Sequence, residues 1–211
     1  MDNAEIINIL GAYPTGNLCN AHTDVRAMTA TIKPLFEGSR IAGPAKTAVI
    51  SPGQNAAIHR AVHTASCGQV LVVDGTADRG FGPFGDILAT SCGNQGIVGA
   101  VIDSTIRDVA DIKEMRFPVF CLGANPAATE KTAPGSIDVL VTCGGVRVRP
   151  GDIIVGDDDG VVVIPVEVAA EVADRVQIVA AREREIKQQL ANGLTTCEIF
   201  EIAIAETANA S

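Results

Sequence analysis

The chain has 211 residues and is 47% hydrophobic but only 3% aromatic, so its core must be built from Val, Ile, Leu and Ala, as in sheets covered on both faces. A formal net charge of −9 argues against recognition of nucleic-acid phosphates and against docking on an anionic membrane surface. No apolar run approaches the roughly 18 residues of a spanning helix, and Met1-Asp2-Asn3-Ala4-Glu5 lacks the basic start of a secretory signal. The expectation is a cytoplasmic protein that binds neither nucleic acid nor membrane. The six cysteines, Cys19, Cys67, Cys92, Cys121, Cys143 and Cys197, form no C-x-x-C pair and read as reduced structural thiols.

Residues 1–45 carry little pattern. A helix starting near Thr15 to Cys19 can be continued over Asp24 to Met28. Thr47 to Ser51 is β-rich and is stopped by Pro52-Gly53. Asn55 to Ser66 reads as a helix, with Ala57, Ile58, Ala61 and Val62 on one face. Gln69 to Asp74 is a buried strand, Gly75 to Phe84 a glycine-rich loop, Asp86 to Asn94 a helix and Ile97 to Ile102 a strand. Val109 to Met115 is a short helix and Pro118 to Leu122 a strand. This alternation predicts an α/β layer with parallel pairing. The character then changes. Val139 to Cys143, Gly145 to Val148, Ile153 to Val155 and Gly160 to Ile164 are short strands, with turns at Arg149-Pro150-Gly151-Asp152 and Asp157-Asp158-Asp159-Gly160. Pro165 opens a long helix from Val166 to about Asn192, stopped by Gly193, and Glu206 to Ser211 should fray. A single domain over 1–211 is expected, with its core at about 41–165 and the C-terminal helix at about 166–192.

The chemistry gathers at two segments. Gly85-Asp86-Ile87-Leu88 is a glycine turn opening a helix, and Arg107-Asp108 follows the apolar run Val101-Ile102. Twenty residues separate Asp86 from Arg107. Asp86 is either an acid favoured by the helix dipole or a holder of metal-bound water beside the N–H groups of Ile87 and Leu88. Arg107 and Asp108 are either a surface ion pair or, respectively, a bidentate clamp and a hard oxygen ligand for Mg²⁺ or Mn²⁺. The run Asp157-Asp158-Asp159-Gly160 lacks the Glu of an EF-hand loop and reads as a hairpin turn with solvated charges. Glu183 and Glu185 lie on the long helix among Arg182, Arg184 and Lys187, as a solvated face would. His59 and His63 are four apart without the zinc-protease Glu; these two and His22 read as capped or half-buried imidazoles. Gly80 to Gly85 spells G-x-G-x-x-G, but it stands six residues beyond its strand and Pro83 removes an N–H, against a dinucleotide site.

The spacing Asp86-x20-Arg107-Asp108 resembles the signature of the RraA-like family, which includes class II pyruvate aldolases acting on 4-hydroxy-4-methyl-2-oxoglutarate and 4-carboxy-4-hydroxy-2-oxoadipate, and protein inhibitors of RNase E. The likeness runs from about Ile41 to Asn192. It takes in Pro52-Gly53-Gln54-Asn55, Phe84 to Thr90, Ile102-Asp103, Phe117-Pro118-Val119, Arg149 to Asp152 and Asp157 to Val162. The resemblance implies a single-domain α-β-β-α sandwich of the swivelling β/β/α type with a long C-terminal helix, assembled as homotrimers or hexamers with sites between subunits. It implies a 2-oxoacid bound on Gly85, Asp86, Ile87, Leu88 and Arg107, with Arg107 and Asp86 catalytic. It implies Mg²⁺ or Mn²⁺ on Asp108, with Asp86 and a neighbouring subunit's Glu183, or else Glu185, holding its waters. The expected activity is retro-aldol cleavage of a 4-hydroxy-2-oxoacid to pyruvate, with oxaloacetate decarboxylation through the same enolate. The rival is a non-catalytic regulator of the RNase E inhibitor type. Ser104-Thr105 and the tail after Gly193 depart from the aldolase pattern, which puts the substrate in question.

Overall fold

A computed structural model describes residues 1–76 and 80–202. Nine strands of the described residues share one sheet, and its pairing turns at β3 (Ile41–Val49). The first half of β3 pairs antiparallel with β10 (Ile153–Asp157), Ile41 opposite Gly156 and Pro44 opposite Ile153. Its second half pairs parallel with β4 (Val70–Asp74), Ala45 opposite Val70 and Val49 opposite Asp74. Beyond β4 the parallel layer continues through β5 (Gly99–Ile102) and, after the short α5 (Val109–Glu114), β6 (Val119–Cys121). Beyond β10 the antiparallel layer continues through β11 (Gly160–Ile164).

Side-chain alternation shows how the layers stack. On β4, Val70 and Val72 enter the core between the two layers, where they meet Ile154, Val161 and Val163. Leu71 and Val73 point the other way, onto α3 (Ala56–His63) and α4 (Asp86–Asn94), through Ile58, Val62, Leu88 and Cys92. On the antiparallel layer, Ile153, Val155, Val162 and Ile164 face outward onto the helices. These are α1 (Asn3–Ala12), α2 (Thr15–Ala21) and the long α6 (Ala169–Ala191). Period-two strands buried on both faces make three cores and hence the expected α-β-β-α sandwich.

α6 supplies Val172, Ala173, Val176 and Ala180 to the outer core at helical spacing. Beyond Ala180 it has no buried residue, so its last three turns project past the core. Burying Val70 to Val73, at under 2% exposure each, is worth roughly 1.5–3 kcal/mol per side chain against the unfolded chain.

The structure corrects the reading of the first 45 residues. α2 stops at Ala21, and Arg26–Ala27 is a two-residue strand, β1, antiparallel to β11. Val25 packs in the outer core and Met28 in the core between layers, so this segment crosses from one to the other as extended chain. Residues 3–12 form a helix the pattern did not announce. It starts at Asp2, whose carboxylate accepts from the Glu5 N–H at 2.8 Å. β2 (Lys33–Pro34) pairs with β6, and β7 (Ser136–Ile137) with the end of β3.

The expected strand at Val139 to Cys143 shrinks to β8 (Val141–Cys143), since Val139 and Leu140 are exposed. β8 turns into β9 (Val146–Val148) through Gly144 and Gly145, both at positive φ, the two-residue turn a right-twisted hairpin favours. The long helix begins as one 3₁₀ turn, Val166–Val168, and a capped final helix, α7 (Thr196–Ile199), follows Gly193. The fraying expected for Glu206 to Ser211 lies outside the described residues, as does the middle of the Gly75 to Phe84 loop.

Candidate functional site

The loop entering α4 and the loop leaving β5 lie against each other. Arg107 N–H donates to the Phe84 carbonyl at 2.9 Å, and the Thr105 hydroxyl to the Phe81 carbonyl at 2.6 Å. Gly85 is where the two loops come closest: a Cβ there would collide with Asp108 Oδ2 and press on the Arg107 side chain. Only glycine allows the start of α4 to approach the Arg-Asp pair this closely. Asp108 has φ 56° and ψ 41°, a left-handed conformation that is unfavourable for a residue with a side chain. Held so, Asp108 Oδ2 lies 3.2 Å from Arg107 Nε and 3.4 Å from the Asp86 N–H. The three residues of the Asp-x20-Arg-Asp pattern therefore meet in space, as expected.

A cavity of about 70 Å³ opens beside them, walled by Gly85, Asp86, Ile87, Leu88 and Arg107 and, from other elements, by Asn55, His59, Thr129 and Lys131. Asp108 faces an adjoining hollow formed with Val109 and Ala124 to Pro126, and Arg107 is common to both. One detail departs from expectation. The Ile87 N–H, read as a donor to substrate, donates to Asp86 Oδ1 at 2.7 Å.

The sequence reading missed the second wall. The segment 53–55 grips the loop at 129–133: Glu130 N–H donates to the Gly53 carbonyl at 2.8 Å, and Asn55 N–H to the Glu130 carbonyl at 3.0 Å. Gln54 Oε1 accepts from the N–H groups of Thr132 and Ala133 at 2.9 and 3.0 Å. This grip gives Pro52-Gly53-Gln54-Asn55 a physical task and carries Thr129 and Lys131 to the cavity. Burial, and then the Lys131 ammonium, push the His59 imidazole below its ordinary range. His63, one turn on, is exposed rather than half-buried. His22 accepts from the Asp24 N–H at 3.0 Å and lies 3.7 Å from Glu171.

The structure does not bring Glu183 to this cavity within the chain. It lies on the projecting half of α6, where Asn17 Nδ2 donates to it at 3.0 Å and Lys187 approaches to 3.5 Å. The Asn17 hydrogen bond, and then the Lys187 charge, hold its carboxyl below the usual range. Glu185 pairs with Arg182 at 3.3 Å on the exposed face. The acidic run is a hairpin between β10 and β11, but its charges are not all solvated. Asp157 is buried, accepting from Thr15 N–H at 2.8 Å and Thr15 Oγ at 2.7 Å at the start of α2. The cysteines are unpaired, and burial pushes the Cys92 thiol up to about 12 and Cys143 well above its ordinary value. The G-x-G-x-x-G letters end at Gly85 against Asp108, and β4 ends at Asp74, six residues before Gly80, which is no dinucleotide cradle.

For a divalent ion, the nearby side-chain donors are hard oxygens: the Asp108 carboxylate in one hollow and the Asp86 carboxylate in the adjoining cavity. No group of three or more His, Cys, Asp or Glu able to hold a metal occurs among the described residues. Two carboxylates suit Mg²⁺ or Mn²⁺, which keep several waters, better than ions that want a full protein cage.

Among the described residues no helix is long and apolar enough to cross a membrane. Comparison with known proteins places these features in one family. The family model described as RraA-like, Aldolase/RraA, matches residues 15–163. A protein of Halalkalibacterium halodurans named "Putative 4-hydroxy-4-methyl-2-oxoglutarate aldolase" is 42% identical over 167 residues, covering 78% of this chain and 80% of its own. One of the same name from Burkholderia multivorans is 34% identical over 157 residues, covering 72% and 95%. The crystal structure of Streptomyces coelicolor RraAS2, described as an unusual member of the RNase ES inhibitor RraA protein family, superposes with a TM-score of 0.77. It is 29% identical and covers 92% of this chain and 98% of its own. This chain belongs to the RraA-like family.

Proposed function

We propose that the protein is a divalent-metal-dependent lyase that cleaves 4-hydroxy-2-oxoacids of the 4-hydroxy-4-methyl-2-oxoglutarate type to pyruvate and also decarboxylates oxaloacetate. The observation that carries this reading is the meeting of Arg107 with the N-terminus of α4 at one small cavity, with Asp108 in the hollow that adjoins it through Arg107, over a glycine where a Cβ would press on both side chains. The names of the two aldolase relatives support the same chemistry.

The N–H groups at the start of α4, Ile87 once Asp86 is displaced from it, take the substrate C1 carboxylate, helped by the helix dipole. Arg107 meets the 2-oxo oxygen and, as the C3–C4 bond breaks and its electron pair enters the C2–C3 enolate, the charge that gathers there. Asp86, displaced from the Ile87 N–H, accepts the proton that leaves the C4 hydroxyl and returns one to C3, giving pyruvate. Asp108 would hold the divalent ion, which would supply Lewis-acid polarisation of the 2-oxo group. Oxaloacetate loses carbon dioxide to the same enolate. Glu183 completes the site from a neighbouring subunit of a trimer, a task its projecting half-helix suits.

The test is pyruvate release from a panel of 4-hydroxy-2-oxoacids and from oxaloacetate, with Mg²⁺, with Mn²⁺ and with chelator. Metal-stimulated release above the metal-only background is expected; release from neither substrate class overturns the reading. The likeness to RraAS2 favours a second reading, a regulator that binds an RNase E-type enzyme. Inhibition of such a nuclease that persists in Asp108→Ala would support that reading instead.

A further inference from the structure

Two polar atoms in the cavity wall lack a partner. Asn55 is only 7% exposed and sits immediately before α3. Its Nδ2 donates to the Pro83 carbonyl at 3.0 Å. Because that partner is an acceptor, the amide cannot be turned over, and Oδ1 is the atom left without a hydrogen bond. One helical turn on, His59 Nε2 is also buried and also without one. Residues four apart share a helix side, and both line the cavity that holds Arg107 and the start of α4. Buried polar atoms left bare are few in folded proteins, and a pair of them in a cavity describes the group that fits there.

That group must give a proton to the Asn55 oxygen and meet a ring nitrogen. A hydroxyl does both at once. A carboxylate has no proton to give, and a methyl or methylene serves neither atom. Water has the same two capacities, so a substrate hydroxyl can replace it without loss.

Resting on the function proposed above, we propose that His59, together with Asn55, holds the C4 hydroxyl of the substrate and so separates 4-hydroxy-2-oxoacids from 2-oxoacids that lack it. His59 donates its N–H to the oxygen that becomes the carbonyl of the departing fragment, and the hydroxyl's one proton leaves Asn55 Oδ1 for Asp86 as the C3–C4 bond breaks. Held at that oxygen, the substrate has its C3–C4 bond fixed relative to Arg107, a positioning effect on the bond that breaks. Oxaloacetate carries a carboxylate where the aldol substrate carries its C4 alcohol, so it makes only half of this contact.

The experiment compares kcat/KM for 4-hydroxy-4-methyl-2-oxoglutarate with that for oxaloacetate in wild type, His59→Phe and His59→Gln, at fixed Mg²⁺. Phe keeps the ring and removes both nitrogens; Gln returns an N–H at similar reach. We expect the aldolase-to-decarboxylase ratio to fall about tenfold or more in His59→Phe, the scale of one lost buried hydrogen bond, and to recover in part in His59→Gln. A ratio within threefold of wild type in His59→Phe, whether both activities fall together or neither does, overturns the inference and leaves the lyase reading standing. A wild type that releases pyruvate from neither substrate overturns the lyase reading, and this inference with it. Residual decarboxylation in each variant reports that it has folded.

Discussion

Asp108 and Asp157 are both aspartates in turns of a sheet protein, and they do different work. Asp157 belongs to the antiparallel layer, is 9% exposed, and has both carboxylate oxygens filled by Thr15 and the Asp159 N–H. Asp108 belongs to the parallel layer, its side chain is 33% exposed, and Arg107 and the Asp86 N–H share one oxygen at the long end of hydrogen-bond range. The first carboxylate is spent on the fold; the second keeps capacity for a ligand. Topology explains the contrast. Loops at the carboxyl ends of parallel strands, with helix N-termini beside them, converge on one volume. The antiparallel hairpin at 157–160 only has to turn the chain.

The largest expected effect that would break this contrast is at Asp108. Asp108→Ala should reduce metal-stimulated pyruvate release below detection while leaving the thermal midpoint near that of wild type. Wild-type turnover at modest Mg²⁺ would put Asp108 in the same structural class as Asp157. Next is Arg107→Lys, which keeps charge but loses the planar grip. A loss on the order of 10²–10³ in kcat is expected, and a change of only a few-fold would make Arg107 an ion-pair partner for Asp108 and nothing more.

A third test asks whether the antiparallel half joins the site through another subunit. Inactive Glu183→Ala refolded with inactive Asp108→Ala should recover part of the activity, because some interfaces then contain two intact halves. No recovery despite proven subunit exchange would remove Glu183 from the site, and loss on Glu185→Ala instead would move its role by two residues.

Asp157→Ala should do the reverse of Asp108→Ala. It strands the Thr15 donors and should lower unfolding stability by roughly 2 kcal/mol, read from the denaturant midpoint, with kcat of the folded fraction unchanged. The smallest effect concerns pH. The folded state lowers the pKa of His59, so below its ordinary value near 6.5 the unfolded chain binds the proton more readily. Stability should therefore fall as pH drops from about 6.5 toward the folded value, and the fall should be shallower in His59→Phe. Identical slopes would mean that His59 is as solvated in the folded protein as in the unfolded one.

The parallel layer was legible because its elements alternate cleanly from residue 46 to 122 and its strands are apolar on both faces. The pairing of Asp86 with Arg107-Asp108 was legible because both lie at ends of those elements. The start of β3 was not, since Gly43-Pro44 interrupts it and its partner β10 lies over a hundred residues away. Nor was β1, only two residues long. Asn55 and His59 carried helix signals, but their place at the cavity depends on a loop gripped by Gln54 from nearly 80 residues away, which no local pattern encodes. The burial of Asp157 had the same distant origin, in Thr15.

The double allegiance of β3 has a consequence during synthesis. As the chain leaves the ribosome, β3 to β6 and their helices can assemble, but the face formed by Val70, Val72, Val101 and Phe120 stays bare. Ile154, Val161 and Val163, which cover it, are made more than thirty residues later. Contacts this far apart in sequence form slowly, and an apolar sheet face awaiting its cover is the species that aggregates or recruits a chaperone. Truncation before β10 should therefore yield an insoluble chain rather than a smaller folded one.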